Sequence, residues 1–142
     1  MKDVAVVGYC RTGIAKASRG ALNQTHGIPL CAHVLRQVVD RARIEAAEVE
    51  DVVVGCGLPE GATGHNIARN AALEAGFGDA VPGITVNRYC GSGLSAASIV
   101  ANRIAAGEAS VAIAAPSLSW RCKRSPRKGG GLCSICARKA AA

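Results

Sequence analysis

Apolar residues fall along this chain in two kinds of run. Residues 4–7 (Val-Ala-Val-Val), 52–54 (Val-Val-Val) and 111–114 (Val-Ala-Ile-Ala) are continuous rather than alternating. Such runs predict strands covered on both faces of a parallel sheet. Residues 83–87 are a fourth candidate strand. Between the strands the spacing becomes helical. Leu30, Val34 and Val38, flanked by Cys31, Leu35 and Val39, form an apolar stripe opposite Arg36, Gln37, Asp40 and Arg41, and Pro29 suits an opening turn. A second helix is expected over residues 66–75, with Ile67, Ala68, Ala71, Ala72 and Ala75 inward and Gly76 as its stop. A third, over residues 91–106, is apolar nearly all round with charge only at Arg103, which predicts a central, buried helix. Strand and helix alternate, so the expected fold is α/β, a mostly parallel sheet with right-handed crossovers covered by helices.

The pattern stops after Ala115, and the charge changes there too. The 142 residues carry a net +7, yet residues 1–115 hold ten basic and ten acidic residues. The seven basic residues after that point, with no acidic ones, account for the whole excess. Residues 116–142 are therefore expected to be a basic tail without an element of its own, and residues 1–115 a single layered unit.

Composition narrows the function classes. Aromatics make up only 3%, which argues against nucleic-acid recognition by stacked bases despite the basic tail. No apolar run approaches a membrane span, and the stretch after Met1 is too short for a signal peptide, so no membrane partner and a cytoplasmic location are expected. The seven cysteines are odd in number and scattered through apolar segments, unlike a disulfide framework. Cys133 and Cys136 have C-x-x-C spacing and Cys122 is a third candidate zinc ligand, but the tail has no fourth ligand, so no metal is expected.

One segment carries chemistry. In Asn87-Arg88-Tyr89-Cys90-Gly91-Ser92-Gly93-Leu94, a cysteine sits where a strand meets a helix, and first-turn N–H groups with the positive end of the helix dipole stabilise a thiolate. Gly91 and Gly93 permit a sharp turn and close approach of a substrate, and the Cys90 N–H can donate to an oxyanion. The same box also reads G-x-G-x-x-A, a dinucleotide-binding pattern. That reading needs an acid at the end of the next strand, and Glu108 precedes that strand instead.

Residues 2–114 resemble the N-terminal part of a thiolase, the family of acetyl-CoA acetyltransferases and 3-ketoacyl-CoA thiolases. The likeness rests on the opening Asp3-Val4-Ala5-Val6-Val7-Gly8-Tyr9-Cys10-Arg11-Thr12, on Glu50 to Cys56, on Gly64-His65-Asn66-Ile67-Ala68-Arg69 and, most specifically, on Val86 to Gly93. The resemblance implies a layered thiolase-like half-domain and makes Cys90 the nucleophile that takes an acyl group from a coenzyme A thioester. It implies no bound cofactor, an acyl-CoA substrate, and a homo-oligomer, dimer or tetramer, for a full-length parent. Cofactor-binding residues are not assigned. The likeness ends where the family has a Gly-Gly-x-Glu-Ser-Met-like turn and this chain reads Ala115-Pro116-Ser117-Leu118-Ser119-Trp120. The downstream boxes that supply the base, the oxyanion histidine and the second cysteine are missing, and His26, His33 and His65 do not replace them. The chain is thus expected to be a truncated, inactive thiolase, and a shifted reading frame after about Ala115 is one hypothesis for its ending. A non-catalytic partner of full-length subunits is the alternative.

Overall fold

The computed structural model describes residues 3–13, 15–16, 19–117 and 133–140. Its five strands are β1 (Val4–Arg11), β2 (Asp51–Cys56), β3 (Gly83–Val86), β4 (Val111–Ser117) and β5 (Cys133–Lys139), and its three α-helices are α1 (Gly27–Ala42), α2 (Ile67–Glu74) and α3 (Ser92–Ala106). The strands form one sheet in the order β1-β5-β4-β2-β3. β2 pairs in parallel with β3 and β4, while β5 is antiparallel to both of its neighbours, β1 and β4. Four of the five strands therefore run the same way, as the continuous apolar runs predict.

The helices cover both faces. Along β2 the valines alternate between two cores: Val52 and Val54 join α1 and α2, and Val53 joins α3. On the first face Leu35, Val38, Ile67 and Ala71 pack over Ile113 and Cys136. The α1 stripe is the predicted one, and it is buried as predicted. His26 caps α1 through Nδ1, which accepts the Ile28 N–H at 3.2 Å, and Arg43 ends it in the left-handed conformation. Asn66 caps α2 and also ties it to β3, donating to the Gly83 carbonyl at 2.8 Å and accepting from Thr85 Oγ1 at 2.8 Å.

Two expectations need correction. α3 is not buried all round: Ala96, Val100 and Ile104, one row at four-residue spacing, lie on the sheet, whereas Leu94 is 80% exposed. A helix on one face of a sheet buries one side only, and among the described residues nothing covers the other. β1 likewise is an edge strand, not one covered on both faces, and Val6 is 63% exposed.

The expected featureless tail is corrected over residues 133–139. They form β5, which fills the gap between β1 and β4 and hydrogen-bonds to both. Ser134 and Cys136 are fully buried, and Ser134 Oγ donates to the Val34 carbonyl at 3.0 Å, a bond that lets a hydroxyl sit in the core. The strand escapes a hydropathy reading because its core-facing residues are a serine, a cysteine and an alanine, and its end is Arg138-Lys139. Pro116 and Ser117 also depart from that expectation, since they end β4, while residues 118–132, with the candidate ligand Cys122 and the cations Arg121, Lys123, Arg124, Arg127 and Lys128, lie outside the described residues.

Candidate active site

The carboxyl ends of β2 and β4 and the amino end of α3 meet at one edge of the sheet, the edge where open α/β sheets hold their ligands. The contact is backbone to backbone. A Cβ at Gly55 would lie 2.3 Å from the Ser92 carbonyl carbon and oxygen, and one at Gly93 would lie 2.7 Å from Pro116 Cβ. Gly55 and Pro116 are themselves register partners in the sheet. Only glycine at both positions lets the start of α3 settle on the strand ends.

Before α3 the chain makes a single 3-10 turn, Tyr89–Gly91. Tyr89 enters it with φ +44°, a left-handed conformation that costs a non-glycine residue about 1–3 kcal/mol unless its surroundings enforce it. Here they do. Asn87 Oδ1 accepts the Tyr89 N–H at 2.9 Å, and Ser92 Oγ accepts the Arg88 N–H at 2.9 Å while donating to the Tyr89 carbonyl at 2.6 Å.

This turn carries Cys90, whose side chain is exposed, while Cys10, Cys31, Cys56 and Cys136 are buried. Cys90 borders a groove of about 370 Å³ whose other walls include Leu94 and Ala97 of α3, Ala114 and Pro116 of β4, and Ile135 of β5. The wall is mostly apolar. Gly91 caps α3 without a side-chain acceptor, the Gly91 and Ser92 N–H groups being taken by the Arg88 and Tyr89 carbonyls, so the helix start favours a bound oxygen atom through the positive end of its dipole. A larger cavity, about 750 Å³, opens at the opposite end of the strands among Glu48, Glu50, Arg138 and Lys139. It holds no cysteine among its lining residues, so the thiol chemistry favours the smaller groove.

The histidines stay away from Cys90. His26 caps α1, and His33 and His65 are exposed; none of the three borders the groove. Glu108 lies beyond the far end of α3, held by Arg103 at 3.2 Å, and so cannot serve a dinucleotide at the Gly91 end. Among the described residues no group of three or more His, Cys, Asp or Glu could hold a metal ion, and Cys136 of the C-x-x-C spacing is a buried core thiol. Asn87 and Ser92 join the site as residues that the sequence pattern alone does not single out. Their signal was their type, since short polar side chains beside a turn bond to nearby backbone.

Comparison with known proteins agrees with this geometry. The family model for the thiolase N-terminal domain matches residues 4–116. A 3-ketoacyl-CoA thiolase of Bacillus subtilis is 38% identical over 114 residues, 80% of this chain and 29% of that protein. The peroxisomal 3-ketoacyl-CoA thiolase 5 of Arabidopsis thaliana is 42% identical over 130 residues, 92% of this chain and 28% of that protein. The second likeness is too long to stop at residue 116, so it reaches into the stretch expected to be without family match. The chain spans less than a third of the length of these relatives. The crystal structure of the Bacillus anthracis acetyl-CoA acetyltransferase shares its fold with a TM-score of 0.77 and 34% identity, over 82% of this chain and 29% of that one. Since the family model spans well over half of the sequence, and the fold follows that of a solved acetyl-CoA acetyltransferase, the chain belongs to the thiolase family, matching its N-terminal domain.

Proposed function

We propose that this chain carries the acyl-accepting part of a thiolase site, with Cys90 as its nucleophile toward an acyl-CoA thioester. The observation that carries the reading is the position of Cys90: an exposed thiol on the turn into α3, at the mouth of an apolar groove, in a chain where Cys10, Cys31, Cys56 and Cys136 are buried. The Cys90 thiolate attacks the thioester carbonyl carbon. A carbon–sulfur bond to Cys90 forms, the bond to the coenzyme A sulfur breaks, and that sulfur leaves with the electron pair and takes up a proton. The positive end of the α3 dipole favours the oxygen that becomes negative. Leu94, Ala97, Ala114 and Ile135 supply an apolar wall for the acyl group.

Turnover is another matter. A general base must lie within hydrogen-bond reach of the thiol, and no histidine borders the groove. The chain alone therefore accepts an acyl group without sustaining thiolysis. Incubation with acetyl-CoA, followed by intact mass and peptide mapping, gives one acetyl group on the Cys90 peptide and none in Cys90→Ser. An unmodified Cys90 peptide would sink the nucleophile reading, and steady thiolysis of acetoacetyl-CoA by the purified chain would sink the claim of inactivity.

A second reading, a non-catalytic partner of full-length thiolase subunits, is favoured by the uncovered outer side of α3, where Leu94 is 80% exposed. A full-length parent is read as a homo-oligomer without nucleic-acid or membrane partners. Among the described residues no helix is long and apolar enough to cross a membrane. The free thiols suit a reducing compartment such as the cytoplasm.

A further inference from the structure

We propose that Ser92 and Asn87 are positioning residues that lock Tyr89 in its left-handed conformation and thereby aim the Cys90 thiol into the groove; this rests on Cys90 being the nucleophile. The direction in which the Cys90 Cα–Cβ bond points is set by the peptide unit that precedes it. That unit hangs on Tyr89, at φ +44°. Left to itself Tyr89 would relax to negative φ, rotating the peptide plane and swinging Cys90 away.

Three hydrogen bonds oppose this. The Asn87 carboxamide holds the Tyr89 N–H, and the Ser92 hydroxyl holds both the Arg88 N–H before it and the Tyr89 carbonyl after it. Ser92 is 3% exposed, whereas Asn87, Arg88, Tyr89 and Cys90 are all exposed, so the serine anchors an otherwise solvated turn from beneath. Only a hydroxyl both accepts from one N–H and donates to one C=O from this single position; an alanine does neither. The anchor cannot drift, because Gly55 brings β2 against the Ser92 backbone. Asn87 does not border the groove, and Ser92 borders it beside Cys90 with its hydroxyl engaged by the turn. Both act through the orientation of Cys90.

The test compares two alkylating agents on Cys90, quantified on its peptide by mass spectrometry. Iodoacetamide requires only an exposed thiol, whereas N-phenyl iodoacetamide must also lay its ring in the apolar groove. The ratio of the two rates reports aim and is insensitive to general loss of stability, which is followed separately by the urea midpoint. Ser92→Ala and Asn87→Ala lower the ratio roughly tenfold, as a misaligned reacting group does. Ser92→Thr keeps the hydroxyl and Asn87→Asp keeps the acceptor oxygen, and both restore the ratio. If Ser92→Ala does not fold, the Asn87 pair decides, since that side chain is outside the core. An unchanged ratio in a folded alanine variant overturns the role of that residue, and a loss that the conservative variant does not rescue overturns the hydrogen-bond account. The ratio is measurable whether or not wild-type Cys90 accepts an acyl group, so this proposal and the nucleophile reading fail separately.

Discussion

Cys31 lies fully buried on the inner face of α1, and burial together with the nearby Cys56 pushes its thiol up to about 12. Cys136 on β5 is pushed up to about 11, mainly by burial, with Arg138 opposing and Glu48 adding. Unfolding returns both to an ordinary thiol value of 9.0. Their contribution to stability is therefore complete below pH 9 and is lost as pH rises through about 11 and 12. Between those limits each thiol removes roughly 1.4 kcal/mol per pH unit. The urea midpoint is expected to fall steeply above pH 9, and Cys31→Ala to flatten the fall by about one thiol's share. Parallel pH profiles for the two proteins would refute this. Among seven cysteines, Cys31 could be read as buried from its place in a helical stripe, and Cys90 as reactive from its Gly-Ser-Gly setting. The locking roles of Asn87 and Ser92 could not be read, because they depend on which backbone groups a folded turn leaves unpaired.

Between elements, Asp51 at the start of β2 bonds to Arg103 near the end of α3, and Arg103 also holds Glu108. Asp51 is 1% exposed, and burial raises its carboxyl above the usual range, with the Arg103 charge and the Val52 N–H pulling it back. Because the folded value is the higher one, Asp51 stabilises the fold below the ordinary carboxylate value and does so less as pH rises through the raised value. Removing Arg103 exaggerates that trend. Arg103→Ala is expected to cost about 3 kcal/mol at pH 7 and distinctly less at acid pH, as protonation of the raised carboxyl removes the charge that Arg103 pairs with. An equal cost at both pH values would show that the guanidinium acts through packing alone. The strands and helices themselves were legible where a stripe or a valine run marked them. β5 was not, since its place is dictated by the open slot between β1 and β4 rather than by its own composition. The outer side of α3 was misread for the converse reason: an all-apolar helix announces that it needs cover without saying whether the cover is present.

For the molecule as a whole, the uncovered outer side of α3 and the exposed edge strand β1 leave apolar surface that a chain of this size rarely leaves bare. If that surface docks on full-length thiolase subunits, tagged chain co-purifies with them, and Leu94→Glu on α3 breaks the association without lowering the urea midpoint. Retention of Leu94→Glu at wild-type level would exclude this face as the interface. The placement of β5 has a last consequence, for the order in which the molecule assembles. Of the strands in this sheet β1 is made before the others, yet its partner is a strand more than a hundred residues downstream. β2, β3 and β4 can form their parallel core with α1, α2 and α3 while β1 waits, and closure comes only when Cys133–Lys139 slides between β1 and β4. Within this sheet the earliest strand is thus the last to be paired, and until then β1 and β4 leave two open edges at the place that β5 will fill.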